Sequence, residues 1–363
     1  KLFYERFIAN EEISLFSPHD VPGLYDSFGT EDFDELYLKY ENDESISKIK
    51  IGAQELILEL LKERAETGRV YIMNIDHCNS HSSFLDKVEM SNLCQEITLP
   101  TKPIQHIDDK SGEIALCILS AINIGKVRDV SDLEVLCDLS VRSLDELIDF
   151  QGYPVNAAEI ATRARRSLGV GFIGLAHYLA KQGVKYDDPD AWKLVHDLTE
   201  SFQYYLIKSS VNLAKEKGAC EYSDRTKYAQ GILPIDTYKK DVDELVPNDL
   251  KCDWESLREE VKKYGIRNST LSAQMPSESS SVVSNATNGI EPPRGYLSIK
   301  KSKKGPLKQI VPSYGTLKNN YTLLWDMPSN TGYINVVAVM QKFFDQAISG
   351  NWSYNPEHYE GSE

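Results

Sequence analysis

An α/β architecture built on parallel strands, as an open sheet or a barrel, is predicted for this 363-residue chain by three features. Short apolar runs alternate with longer amphipathic ones, the pattern of strands joined through helices. The run "EIALCILSAINIG" is apolar without polar alternation, as a strand buried on both faces must be. "RNSTLSAQM" is a second extended run, and it breaks into a Ser-rich turn. In such folds the functional loops gather at strand ends.

Along the chain, residues 1–45 are acidic, and "FSPHDVPGLYDSFG" holds enough Pro, Gly and Asp to predict an irregular lead-in. In "SKIKIGAQELILELLKERAETG", Ala53, Leu56, Ile57, Leu60 and Leu61 form one apolar stripe that predicts a helix against a core, stopped by Gly68. "RVYIMN" predicts a short buried strand. Helices are expected over 131–150, 156–166, 172–182 and 188–217, and Val336, Val337, Met340 and Phe344 mark a late one. No repeat divides the chain, and its 363 residues suffice for one large domain or two ordinary ones.

Lys plus Arg number 40 against 55 Asp plus Glu, a formal charge of -15 that opposes binding along nucleic acid or an anionic membrane. The cysteines at 78, 94, 117, 137, 220 and 252 form no CxxC pair and no dense framework, which predicts a reducing, cytoplasmic setting. No apolar run approaches the roughly 18 residues that cross a bilayer.

Four motifs carry possible chemistry. In "SNLCQE", an extended backbone would point Asn92, Cys94 and Glu96 to one face and Leu93 and Gln95 to the other, gathering an amide, a thiol and a carboxylate. "GVGFIG" has the GxGxxG spacing of Gly169, Gly171 and Gly174, but a basic helical stretch precedes it, so helix packing is expected rather than a dinucleotide site. "DHCNSH" offers Asp76, His77, Cys78 and His81 without a second ligand cluster, so local hydrogen bonding is expected and no metal. "PSESSS", with Pro276, Ser277, Glu278, Ser279 and Ser280, is either ordinary Ser capping or a receptacle for an anion, made of neutral donors because the motif holds no cation. The lysine run "KKSKKG" at 300–305 predicts a solvated turn.

Together, "SNLCQEITLPTKP", "GEIALCILSAINIG", "RNSTLSAQMPSESSSVVSNATNGIEPPRGY" and "GYINVVAVMQKFFDQAIS" resemble the large, catalytic subunit of class I ribonucleotide reductase, in the expected order. The resemblance implies the second half of a ten-stranded α/β barrel with a central finger loop carrying Cys94. It implies that Cys94 bears the thiyl radical, that Glu96 is general base to the 3'-hydroxyl, that Asn92 holds the sugar, and that Cys117 belongs to the redox pair. Leu93 and Gln95 would line the substrate, and Pro276, Ser277, Glu278, Ser279 and Ser280 would hold its diphosphate. No cofactor is expected in this chain itself. The radical metal would lie in a small subunit, and thioredoxin or glutaredoxin would be the external reductant.

The family's second redox cysteine, effector sites and relay tyrosine pair have no match here; Cys78 does not fit the first, and Tyr204 and Tyr205 lie in the wrong region for the last. The resemblance therefore implies a C-terminal half that is inactive alone and partners an N-terminal half, a small subunit and a ribonucleoside diphosphate. Three alternatives stay open: a glycyl-radical or cobalamin relative with the same barrel, a non-catalytic assembly half, and a hydrolase using Cys94 with a histidine such as His177.

Overall fold

The computed structural model describes residues 1–116, 118–303 and 305–353. These residues fold as two compact units, residues 1–80 with 87–91, and residues 81–86 with 92–353.

The first unit corrects the irregular lead-in. It holds α1 (Leu2–Ala9), β1 (Glu12–Phe16), α2 (Leu24–Ser27) and α3 (Asp32–Asn42) before β2 (Lys48–Gly52) and α4 (Ala53–Thr67). β1 and β2 pair antiparallel from Glu12↔Gly52 to Phe16↔Lys48. The strand takes the start of the predicted helix because Ile49 and Ile51 alternate with lysines, a period of two. A small core of Val21, Leu24 and Tyr37 forms beneath. Tyr37 secures β1 by accepting from Ser14 N (2.6 Å) and donating to Ser14 O (2.8 Å). α4 ends where predicted, with Gly68 at φ 68°. Its stripe is less buried than expected, since Leu61 is exposed and only Ala53 is fully enclosed. "RVYIMN" forms no strand, and Tyr71 and Ile72 are exposed. α5 (Ile75–His81) follows.

The second unit supplies the parallel strands. β3 (Leu119–Asn123) leads through α6 (Asp132–Phe150) and α7 (Asn156–Arg165) to β4 (Gly169–Ile173), which pairs parallel with β3 from Leu119↔Gly169 to Asn123↔Ile173. α8 (Leu175–Gln182), α9 (Pro189–Lys217), the single turn α10 (Pro234–Thr237) and α11 (Trp254–Tyr264) return the chain to an extended segment, residues 268–275. That segment lies parallel to β4 at Val170↔Ser272 and parallel to the 347–349 stretch at Gln274↔Ile348. Between these come α12 (Glu278–Ser284), the antiparallel hairpin β5 (Leu297–Ser302) and β6 (Gly305–Ile310), α13 (Tyr314–Leu317) and α14 (Thr331–Gln341). Phe344 lies past the end of the late helix.

Thus "GVGFIG" is not the helix-packing turn expected but a strand as far as Ile173, and the helix expected from 172 begins at Leu175. Glycine is required there by close approach: a Cβ on Gly171 would fall 2.5 Å from the Ala273 carbonyl oxygen, and one on Gly169 would fall 2.6 Å from Leu119. Because these glycines lie inside the strand rather than after it, they form no phosphate-binding turn. Gly174, at φ 83°, makes the bend into α8. α9 starts where Asp188 caps Asp190 N at 2.9 Å ahead of Pro189.

Behind the strands, Phe172, Phe202 and Phe344 meet with ring centroids 4.4–5.8 Å apart, joining β4, α9 and the stretch after α14. The fully buried Asp345 accepts from Leu271 N, Ser272 N, Ser272 Oγ and the Tyr228 hydroxyl. Burial pushes its carboxyl up, and these donors partly offset that by favouring the ionised form.

Candidate functional site

The stretch around Cys94 is a turn, not the extended segment expected. Gln95 N donates to Asn92 O (3.1 Å) and Asn92 N to Ile97 O (3.2 Å), while the Asn92 side-chain oxygen accepts from Ile97 N (3.2 Å). Gln95 sits in the left-handed region at φ 66°, a conformation costing about 1–2 kcal/mol outside glycine. Alternating faces therefore do not gather these side chains; the turn sets Cys94 beside the Glu96 carboxylate and binds the Asn92 side chain to the Ile97 backbone. The "SN" pair that opens it was the available sequence signal, since Asn closes such turns with its own side chain.

Within the turn the residues differ in environment. Leu93 is exposed, Cys94 half-buried, and Glu96 only 2% exposed. Burial, with the Glu96 carboxylate beside it, pushes the Cys94 thiol up. A cysteine nucleophile needs the opposite shift, and His177, the proposed partner of that alternative, is buried on α8 and stacks on Tyr321.

Backbone pairing fixes the turn to the strands. Ala347 N donates to Glu96 O (3.2 Å), Gln274 N donates to Ala347 O (3.1 Å), and Ser349 N donates to Gln274 O (3.0 Å). Gln274 then clasps β4, accepting from Phe172 N (2.8 Å) and donating to Phe172 O (3.0 Å). Cys94 thus lies two residues from the pairing at the 347–349 end of a row running β3, β4, 268–275 and 347–349. Cys117, just before β3, lies outside the described residues.

Three residues beyond Gln274 the same segment reaches the Ser-rich turn. Pro276, Glu278, Ser279 and Ser280 are exposed and Ser277 is buried. Ser277 makes no side-chain cap bond; its carbonyl accepts from Ser280 Oγ (3.2 Å) and from Ser281 N (2.9 Å). The Glu278 carboxylate and the Ser279 and Ser280 hydroxyls are displayed at the strand end, while the Ser277 hydroxyl is enclosed and accepts from Ser281 Oγ (3.4 Å).

Two charge clusters outside the predicted motifs hold the frame. Arg165, 3% exposed, donates to Glu113 Oε2 (2.7 Å) and Asp86 Oδ2 (2.8 Å), and Arg225 pairs with Asp86 at 2.7 Å. Asp86 and Glu113 bracket the segment containing Cys94, so this cluster grips both ends of it. Arg166, at φ 47° after α7, binds Asp145 (2.6 Å) and Asp149 (2.8 Å).

Of the "DHCNSH" side chains, His81 bonds Thr237 Oγ1 (2.9 Å) and Gln341 O (2.8 Å), and burial lowers it to about 4; burial with Asp76 pushes the Cys78 thiol up to about 11. Among the described residues, a metal-compatible grouping occurs at His196, Asp197 and Glu200. There Glu200 already accepts from Lys251 N, Cys252 N and Trp254 Nε1, tying α9 to the start of α11. No helix among the described residues is long and apolar enough to cross a membrane.

The family model described as the ribonucleotide reductase barrel domain matches residues 1–362. The chain is 59% identical to the ribonucleoside-diphosphate reductase subunit alpha of Haemophilus influenzae over 99% of its own length and 48% of that protein's. The corresponding figures are 55%, 99% and 48% for subunit alpha of reductase 1 from Escherichia coli K12, and 44%, 98% and 48% for subunit alpha of enterobacteria phage T4. The chain spans about half the length of these curated relatives.

Proposed function

This chain belongs to the ribonucleotide reductase barrel family, and from that premise we propose that it carries the radical centre for reducing ribonucleoside diphosphates to deoxyribonucleoside diphosphates. The observation that carries the reading is the Asn92–Ile97 turn, which sets a thiol raised by burial beside a buried carboxylate and is tied by Glu96 O to the 347–349 stretch. A radical cysteine is needed as a thiol, since its role is to exchange a hydrogen atom.

Cys94, as a thiyl, abstracts the ribose 3'-hydrogen, Glu96 takes the 3'-hydroxyl proton, and the 2'-hydroxyl departs as water. Asn92, whose Oδ1 is bound to Ile97 N, gives the sugar its Nδ2 hydrogens. Two electrons come from a dithiol of which Cys117 is one member, so that diphosphate plus dithiol yields deoxy product, water and disulfide. Cys94 recovers its hydrogen at the end of the cycle. The diphosphate rests on Ser277–Ser280, with Leu93 and Gln95 against the nucleoside. The chain forms the second half of a ten-stranded barrel, completed by the portion of the relatives that it does not span. A small subunit supplies the radical, and thioredoxin or glutaredoxin restores the dithiol.

The test is conversion of CDP to dCDP by this chain mixed with a polypeptide supplying the rest of a large subunit and with a radical-bearing small subunit. Activity that requires the mixture and disappears in both Cys94→Ser and Cys117→Ser is expected. Turnover by Cys94→Ser would overturn the assignment.

A further inference from the structure

The Ser-rich turn offers hydroxyls and one carboxylate, yet a diphosphate placed there would face the negative charge of Glu278 at close range. The structure brings a cation to it from elsewhere in the sequence. Lys300, on β5, donates from Nζ to Ser279 Oγ at 3.2 Å and lies 3.7 Å from Glu278 Oε2. We propose that Lys300 is a substrate-binding residue: the β5–β6 hairpin is a clasp that delivers its ammonium to the terminal phosphate, and Glu278 holds that ammonium in place until the phosphate arrives.

The hairpin is built to hold this position. Gln309 Nε2 on β6 donates to Ala286 O (2.9 Å) just past α12, and Val311 N donates to Tyr296 O (2.9 Å) to close its base. Lys300 therefore approaches α12 from a ribbon anchored to the same helix's far end. Its side chain is 41% exposed, within reach of an entering ligand, whereas Lys301 and Lys303 are exposed at the tip. The lysine run predicted to be a solvated turn thus separates into Lys300, held at the Ser-rich turn, and Lys301 and Lys303 in solvent, with Lys304 outside the described residues.

The inference rests on the nucleoside diphosphate reading, and one experiment separates the two. CDP and cytidine are titrated by calorimetry into the assembled large subunit, comparing wild type with Lys300→Gln, Lys300→Arg, Lys301→Gln and Glu278→Gln. A partly exposed charge-assisted bond is worth about tenfold in affinity, so Lys300→Gln should weaken CDP by about that factor and leave cytidine unchanged. Lys300→Arg should recover most of the loss, Lys301→Gln should match wild type, and Glu278→Gln should tighten CDP by removing the competing carboxylate. If wild type binds CDP and Lys300→Gln stays within about twofold of it, the clasp is wrong and the substrate reading survives. If wild type fails to bind CDP, the substrate reading falls and the clasp with it.

Discussion

Replacing Arg165 with Met would withdraw the cation from two carboxylates at once. Breaking a buried ion pair from one side costs about 3–5 kcal/mol, because a charge is left without a partner in a poor solvent. Glu113 is 2% exposed, but its other oxygen keeps Arg225 at 3.6 Å and Lys102 at 3.5 Å. Asp86 retains Arg225 and some contact with water. These residual partners place Arg165→Met at the low end, about 3 kcal/mol. All four tryptophans, at 192, 254, 325 and 352, belong to the second unit, so their fluorescence in urea reports that unit alone. The midpoint should fall with the slope unchanged, and a double-mutant cycle with Glu113→Gln should give about 2 kcal/mol of coupling. A loss below about 1 kcal/mol, or strict additivity, would show that the cluster does not grip the Cys94 segment as described.

Two other outcomes follow from the same unit. Gly171→Ala should destabilise it by about 2 kcal/mol, since the new methyl would meet a backbone oxygen at 2.5 Å, whereas Gly152→Ala, with open space around it, should be neutral within experimental error; equal effects in urea would refute the close-approach argument. Burial alone would raise Asp86, but Arg225 and Arg165 hold it below the usual carboxylate range, and Arg166 does the same for Asp149. With folded values depressed, their contribution is complete above the unfolded pKa of about 4 and is lost as pH falls through the lower folded ones. Stability of wild type should therefore drop below about pH 4 more steeply than that of Arg165→Met, and parallel profiles would count against the pairing.

The sequence revealed whatever depends on local pattern. α6, α7 and α9 appear within one or two residues of expectation because their apolar stripes, Asp188 cap and terminating Arg166 act within a few positions. β4 escaped because "GVGFIG" carries no side-chain signal of a strand: its glycines answer to Leu119 and Ala273, partners invisible from the stretch itself. The lead-in hid for a related reason. β1 is fixed by β2, whose partners run from Phe16↔Lys48 to Glu12↔Gly52, and by Tyr37. At the site, the residue types were legible but the geometry was not. Nothing within "SNLCQE" states that Gln95 turns left-handed, and nothing in "PSESSS" states that Lys300 stands over it.

The tether between the Cys94 turn and the strands has a consequence in time. Thr98 N reaches Gln346 Oε1, 248 positions later, next to the Glu96–Ala347 bond. A ribosome adding about 5–20 residues per second needs roughly 10–50 s to cover that interval. Throughout it, the Cys94 thiol has neither the 347–349 stretch to dock on nor its raised pKa, and behaves as any cysteine of pKa about 8.5. Each newly made chain is thus more open to oxidation at Cys94 until residues 347–349 have been made, and up to that point its surroundings, not its fold, must protect the thiol.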